Sequence, residues 1–205
     1  MVLVDAGPLL QAPEACNRRA EQDGCLLWRR LLPTGEVLAA RTEVLAACRS
    51  AGWCDAIGTP LTEPDEIGAE ALVTRLQRLP RWRRLGEHPA LRQAMVAALG
   101  TSARLVGVAV DLRWPGEMAG PAEAPRDDTW SVWVPLGDCA TTQGGLAVLP
   151  GSHREGAATA VTAWADLATG DVLALDGHTL RQPLAHAGDR LRLAVHYRYR
   201  KKPSD

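Results

Sequence analysis

The sequence predicts a mainly β protein with helices in its N-terminal part and a sandwich or jelly-roll barrel after them. Two observations lead to this fold class. Residues 1–100 carry apolar side chains at helical spacing, whereas residues 101–200 fall into short β-rich segments separated by Gly, Pro and Asp. A chain of 205 residues suits one domain, so we expect a single domain over 1–205.

The helical spacing is clearest in three segments of the first part. Residues 34–50 form one candidate helix, with Thr34 as the candidate N-cap. Its apolar residues share one face, namely Val37, Leu38, Val44, Leu45 and Cys48. Further helices are predicted at about 66–79 and at 89–99, and the segment 54–66, rich in Pro and Gly, predicts a loop before them.

The second part contains several strand candidates, each short and bounded by turn residues. They cover 103–114, 129–136, 144–150, 171–177 and 189–200. Apolar and polar residues alternate over most of the last segment, which is typical of a strand with one buried face.

Charge and cysteine content exclude several classes of protein. Lys plus Arg number 23 and Asp plus Glu number 24, so the chain lacks the positive excess of a nucleic-acid-binding protein. No apolar run reaches the roughly 18 residues of a membrane span, and the start of the chain is unlike a signal peptide because it has no basic segment. The five cysteines form no C-x-x-C pair, so we expect reduced thiols, a cytoplasmic location and no structural zinc.

One segment carries a specific family signature. Residues 130–153, WSVWVPLGDCATTQGGLAVLPGSH, combine an apolar strand, PLGD, a glycine pair and a strand that ends in PGSH. This resembles the core signature of the phytanoyl-CoA dioxygenase family, while 170–200 resembles its last barrel strands and 24–53 its helical start. The resemblance implies a double-stranded β-helix, a jelly-roll or cupin-like barrel, with helical 1–100 packed outside a barrel core of 101–200. It also brings an expectation of non-haem Fe(II) and 2-oxoglutarate.

The resemblance places the iron ligands at positions where this sequence has no metal-binding side chain. The family's His-x-Asp pair follows a Gly-Pro step, and alignment on Gly120 puts Ala122 and Ala124 at those two positions. The third ligand, a His, aligns with Arg181, whose guanidinium is always cationic and has no acceptor. Since an alanine methyl offers no lone pair, we expect no metal and no cofactor.

A shifted alignment leaves an alternative open. His178 or His186 together with Asp128 could form a displaced iron site, which would make the chain an Fe(II)/2-oxoglutarate dioxygenase. However, the resemblance on both sides of these residues fixes the register, and a one-residue slip would turn the side chains of a strand to its opposite face. We therefore favour the metal-free interpretation.

Four residues are candidates for substrate binding. In the resemblance, an Arg on the last long strand holds the carboxylate of 2-oxoglutarate; Arg192 matches it best, with Arg190 as the near alternative. Without a metal that molecule loses its chelation, and Arg192 with Arg181 would instead form a pocket with two fixed positive charges for a small anion. His196 shares a strand face with Arg192. Trp133 flanks the pocket-forming segment, although core packing is the plainer role for it.

A proton-transferring group is expected among four further residues. Glu123, Asp127 and Asp128 lie in the segment that supplies iron ligands in the resemblance, and His186 lies near the expected pocket mouth. Loop acids are more often solvated than catalytic, so the sequence does not favour any one of these residues as the base. All four stay candidates. His153 of the PGSH signature is expected to have a structural role, through hydrogen bonds to loop backbone.

These observations predict a metal-independent, non-redox enzyme that binds a small anionic substrate and has no nucleic-acid or membrane partner. Elimination, isomerisation or intramolecular ring closure in natural-product biosynthesis fits such a site, for example an amine that displaces a sulfate or phosphate leaving group. The alternative is a non-catalytic subunit that supports an active partner chain in a dimer.

Overall fold

The computed structural model describes residues 1–62, 66–76, 78–154 and 162–202 of the chain. A short 3-10 helix at Gly7–Gln11 precedes the α-helices, which are α1 Pro13–Asp23, α2 Thr34–Ser50, α3 Glu66–Leu76, α4 Pro80–Leu85 and α5 Pro89–Leu99. The strands are β1 Cys25–Trp28, β2 Ala103–Arg113, β3 Thr129–Pro135, β4 Leu146–Val148, β5 Val172–Asp176, β6 Arg181–Pro183 and β7 Arg192–Lys201. In the described ranges no helix combines the length and the apolar character needed to cross a membrane.

The strands form two antiparallel sheets. The major sheet has the order β1-β5-β3-β7-β2, and β4 and β6 form the minor sheet. Single bridges widen the minor sheet on both sides: Val148 of β4 pairs with Ala163. On the other side, Arg181 of β6 pairs with Glu123. Because Leu173 of the major sheet and Val148 of the minor sheet share one buried cluster, the two sheets face each other around a common interior. The predicted class, mainly β with N-terminal helices, is confirmed.

Alternation along β7 separates the two faces of the major sheet. Leu193 and Val195 pack in the large core that the sheet shares with the helices. Arg192, Ala194 and His196 alternate with them, and Ala194 belongs to the cluster between the two sheets. The inner face of β7 therefore presents Arg192 and His196 to the barrel interior, as the sequence pattern suggests.

The predicted helix over 34–50 is present as α2, but its cap and one face residue differ from prediction. Pro33 is the N-cap residue, and Thr34 begins the helix without capping it. Leu38 was expected on the buried face and is 43% exposed. Its place is taken by alanines, since Ala40 and Ala47 are buried against the core.

The predicted helix at 66–79 is present as α3, which ends at Leu76, and a separate helix that was not predicted, α4, begins at Pro80. Pro80 has no N–H to donate and disfavours helical geometry in the residue before it, so the chain is extended at Leu79, with ψ of 131°. Helix α5 has the predicted bounds of 89–99. The described part of the predicted loop, 54–62, contains no helix, and 63–65 lie outside the described residues.

Strand β1 was not predicted, and the helical interpretation of residues 1–100 is wrong there. It lies between α1 and α2 but forms an edge of the major sheet, antiparallel to β5. All four of its residues are buried. An apolar run this short has too few positions for its periodicity to distinguish a strand from a buried helical turn.

The turn from α1 into β1 depends on Gly24. Its φ is +64°, and a Cβ there would lie 2.3 Å from both His153 Nδ1 and Thr179 Oγ1. The Thr179 hydroxyl donates to the Gly24 carbonyl at 2.8 Å, and His153 Nε2 lies 2.9 Å from the Glu21 carbonyl. The PGSH histidine thus contacts loop backbone, and it holds the N-terminal turn against the C-terminal half of the chain.

Candidate active site

Most of the barrel interior is filled by apolar side chains. The cluster combines β1 and β5 with the minor sheet, and its members include Cys25, Leu27, Trp133, Val148, Leu173 and Leu175. Trp133 is completely buried in this cluster. Its ring therefore lies among apolar side chains. The polar side chains of the interior lie on the β2 side.

A cluster of polar side chains occupies that side, and it is centred on Asp111 of β2. Asp111 Oδ2 accepts hydrogen bonds from Arg192 Nη1 at 2.6 Å and from Trp133 Nε1 at 3.2 Å. His196 Nε2 lies 3.4 Å from the same oxygen. The structure thus brings together three of the four predicted substrate-binding residues, Arg192, His196 and Trp133, around a carboxylate that the sequence analysis missed.

Register explains why these side chains meet. Strand β7 pairs with β2 on one side and with β3 on the other, so Trp133 lies directly opposite His196, and Asp111 lies opposite Ala194, between Arg192 and His196. The signal available in the sequence was alternation in VAVDLRW, which puts Asp111 on the face opposite Val110 and Leu112. The pairing partner of that face could not be read from β2 alone.

The charges in this cluster stabilise one another. Burial alone would raise the pKa of Asp111, but the hydrogen bond with His196 and the charge and hydrogen bond of Arg192 outweigh it and hold this pKa well below its usual range. The Arg192 side chain is 5% exposed, and its guanidinium carbon lies 5.4 Å from the centre of the Trp133 ring. The His196 and Asp111 side chains are 26% and 28% exposed, so solvent reaches the pair that they form.

Arg181 lies on the minor sheet, apart from this cluster. It pairs directly with Val148, and because paired residues of an antiparallel ladder share a face, Arg181 points to the side of the buried cluster. Its Nη1 is buried with no hydrogen-bond partner among the described residues. Burial lowers the pKa of Arg181, and the charge of Glu123 opposes this effect. In the described ranges no hydrogen bond or ion pair joins Arg181 to Asp111, the carboxylate that holds Arg192.

The predicted acids lie away from the Asp111 cluster. Asp127 forms an ion pair with Arg198, and its Oδ1 accepts from the backbone N and the hydroxyl of Thr129 at 3.0 and 2.5 Å. Arg198 is six residues further along β7 than Arg192, which corresponds to about 20 Å of strand. Asp128 is exposed. Glu123 is exposed as well, beside Arg181.

His186 is buried in a turn at the other end of the barrel. Its Nε2 lies 2.7 Å from the Arg190 carbonyl, and its Nδ1 accepts from the Gly188 N–H at 3.2 Å. With Nδ1 as acceptor, Nε2 carries the proton and donates to the carbonyl. Both ring nitrogens are engaged with backbone, so a proton-transfer role for His186 would first require breaking a bond that orders this turn.

Similarity to known proteins is found at the level of structure. No family model and no curated protein matches the chain, but solved structures match it. The alpha ketoglutarate dependent carbocyclase SnoK from nogalamycin biosynthesis gives a TM-score of 0.71 at 18% identity, over 91% of this chain and 83% of SnoK. The alpha ketoglutarate dependent epimerase SnoN, also from nogalamycin biosynthesis, gives 0.68 at 20% identity, over 93% and 81%.

A third similar structure is EctD from S. alaskensis with bound Fe, with a TM-score of 0.64 at 18% identity, over 93% of this chain and 78% of EctD. The chain has the fold of the non-haem iron oxygenases. At these identities the likeness shows the fold alone, and it confirms the predicted double-stranded β-helix. Membership of the phytanoyl-CoA dioxygenase family within this fold stays a prediction.

The side chains at the expected iron positions do not fit Fe(II). Glu123, which lies between Ala122 and Ala124, is the residue opposite Arg181 on the minor sheet, so the segments that would supply the ligands are neighbours. The alignment puts two methyl groups and a cation at the ligand positions, and none of these groups donates a lone pair to a metal. Within the described residues no three His, Cys, Asp or Glu side chains gather into a metal site.

Proposed function

We propose that the chain is an enzyme that carries out a non-oxidative reaction on a small anionic substrate, without iron. The proposal rests on the sequence alignment, which puts Ala122, Ala124 and Arg181 at the ligand positions. In the structure the two segments that carry these residues are neighbours, through the bridge between Glu123 and Arg181. Oxygen activation on this fold needs a metal that these side chains cannot hold. The remaining interior chemistry is acid–base and electrostatic.

The Asp111 cluster supports a catalytic rather than a purely structural barrel. Buried charges cost stability relative to apolar packing, yet Arg192 keeps its charge inside a barrel that is otherwise filled with apolar groups. A neutral His196 that donates Nε2–H to Asp111 keeps a lone pair on Nδ1 for a proton. His196 is thus our candidate base, and Asp111 orients it, as a carboxylate orients the histidine of a catalytic triad.

Ring closure by displacement is the reaction that these groups fit best. An amine nitrogen forms a C–N bond at the carbon that carries a sulfate or phosphate, and the C–O bond breaks with its electron pair leaving on that anion. The amine proton passes to His196, and Arg181, whose buried Nη1 has no hydrogen-bond partner in the described residues, stabilises the departing anion. SnoK is an alpha ketoglutarate dependent carbocyclase and SnoN an alpha ketoglutarate dependent epimerase, so ring formation and epimerisation have precedents on this fold.

Iron loading tests the proposal. The chain is incubated anaerobically with Fe(II), and bound iron and conversion of 2-oxoglutarate to succinate are measured. We expect far less than one equivalent of iron and no succinate. The matched variant carries Ala122→His, Ala124→Asp and Arg181→His and should gain iron binding if the alignment is right. Near one equivalent on the wild type, with succinate formed, would establish the displaced-site dioxygenase instead.

A second function class is favoured by a separate observation. A groove of about 1100 Å³ lies between α1 and α5, with Leu31, Val96 and Ala97 among its lining residues. A groove with a mostly apolar surface on the helical side suits a partner chain, as expected for a non-catalytic subunit in a homo- or heterodimer. Measuring the solution mass of the purified chain tests this alternative, because a strict monomer without a co-purifying partner contradicts it.

A further inference from the structure

A second polar cavity lies at the end of the barrel where β7 begins. Its volume is about 300 Å³, and it is lined by Arg41 of α2, the turn 137–143 and the segment 186–193. Arg190 and Arg192 of that segment border the cavity together with Arg41. Three arginines from two distant parts of the sequence thus border one small cavity.

Two of these arginines have no counter-ion in the part of the chain that the structure describes. Within the described residues, neither Arg41 nor Arg190 makes a side-chain hydrogen bond or an ion pair, whereas Arg192 is held by Asp111 at 2.6 Å. Both residues border the same cavity, and burial, and then the charge of Arg190, lower the pKa of Arg41. Like charges in one cavity destabilise the empty protein and favour a bound anion.

The local backbone positions both arginines without neutralising them. A Cβ on Gly137 would lie 3.0 Å from Arg41 Nη1, so the absence of a side chain in the PLGD turn makes room for this guanidinium. Arg190 projects from the turn that His186 orders through its bonds to the Arg190 carbonyl and the Gly188 N–H. The buried His186 therefore has a structural explanation as an organiser of this cavity.

The carboxylates nearby do not pair with these arginines. Asp138 borders the cavity, but its Oδ1 accepts from the backbone N and the hydroxyl of Thr169, both at 2.8 Å. Asp189 also borders it and is exposed. No ion pair within 4 Å links either carboxylate to an arginine in the part of the chain that the structure describes.

We propose that this cavity binds a phosphate or sulfate group, with Arg41 and Arg190 as its ligands. Two guanidinium forks match the charge and the oxygen geometry of a tetrahedral dianion, and the volume is at the lower end of small-molecule sites. The site goes beyond the proposed reaction, because it uses neither Arg181 nor His196 and would exist equally in a non-catalytic subunit.

Calorimetric titration of the full chain with inorganic phosphate, sulfate and methyl phosphate, at constant ionic strength, tests the site. We expect saturable binding that Arg41→Ala and Arg190→Ala each weaken about tenfold or more, since each removes charged hydrogen bonds. Arg49→Ala removes an exposed arginine from the same helix and should change the Kd less than about twofold. Binding of methyl phosphate as tight as phosphate would identify an esterified group as the ligand; binding of phosphate alone would identify the free anion.

Two results would contradict the proposed site. One is that none of the three probes binds saturably, and the other is that Arg49→Ala weakens anion binding as much as Arg41→Ala does. Arg181→Ala distinguishes this site from the proposed active site, because phosphate binding at the cavity should be unchanged in this variant. If Arg181→Ala abolishes phosphate binding while Arg41→Ala retains it fully, the anion binds in the barrel instead. If a variant does not fold, phenylglyoxal labelling of the wild type replaces it. Phosphate should then protect Arg41 and Arg190 but not Arg49, and absence of that protection contradicts the proposal.

Discussion

The two sides of the barrel interior are built from the same sheets but filled in opposite ways. On the side of β1 and β5, Cys25, Leu27, Leu173 and Leu175 pack into an apolar cluster. On the side of β2, which is the opposite edge of the major sheet from β1, Asp111 and its partners form a charged network with partial solvent access. The first side holds the sheets together, and the second keeps the groups that could bind or react. The difference shows that closing most of the barrel is compatible with keeping one polar edge.

The apolar side should dominate stability. Leu173→Ala removes a buried side chain from its centre and leaves a cavity, so we expect the free energy of unfolding to fall by about 2 to 5 kcal/mol. Chemical denaturation measures it. Leu38→Ala on exposed α2 surface is the control and should change it by less than about 0.5 kcal/mol. A loss below about 1 kcal/mol at Leu173 would mean that this side is loosely packed.

The polar side should depend on its central carboxylate. Asp111→Asn leaves the Arg192 guanidinium buried without a counter-ion, and we expect a loss of about 2 to 3 kcal/mol, reduced by partial exposure. Asp128→Asn, at an exposed aspartate, should be nearly neutral. Adding Arg192→Met to Asp111→Asn removes the orphaned charge and should recover stability. A double variant no more stable than Asp111→Asn would show that the charge pair is not what the substitution disrupts.

Acid should weaken the polar side selectively. The pKa of Asp111 is lowered in the folded chain, so its stabilising contribution is complete above the unfolded value of about 3.9 and is lost as the pH falls further through the folded pKa. Stability measured from pH 5 downward should therefore fall more steeply in the wild type than in Asp111→Asn. Asp128→Asn should follow the wild type. Parallel curves for the wild type and Asp111→Asn would contradict the lowered pKa.

Thiol reactivity gives the finest probe of the apolar side. Burial, and next the charge of Asp23, raise the pKa of Cys25 to about 12, and burial raises that of Cys139 to about 11. At pH 8 we expect both thiols to react with a disulfide reagent at least about 100-fold more slowly in the native than in the unfolded chain. Leu173→Ala should speed the reaction of Cys25. Fast labelling of either thiol in the native wild type would show that this side opens readily.

Local pattern predicted much of the fold and only part of the candidate site. The alternation in β7 correctly separates Leu193 from Arg192, because it depends only on the pleat of one strand. Asp111 could not be predicted as the centre of the site, since its role depends on the register between β2 and β7, which are far apart in the sequence. The cavity between Arg41 and Arg190 was missed for the same reason. The short β1 was missed because four apolar residues carry no usable period.

The position of β7 in the major sheet has a consequence for the folding of the chain during translation. It lies between β3 and β2 in the major sheet, and β2 has no other strand partner in the described residues. During translation, β2 leaves the ribosome long before Arg192–Lys201 exists, and its unpaired edge stays available to other chains for that time. The hydrogen bonds within each helix can form as the helix emerges because they join residues four positions apart, whereas the major sheet has to wait until β7 has been made. Nascent chains stalled before residue 192 should therefore bind chaperones that recognise extended segments, and release them once β7 has emerged.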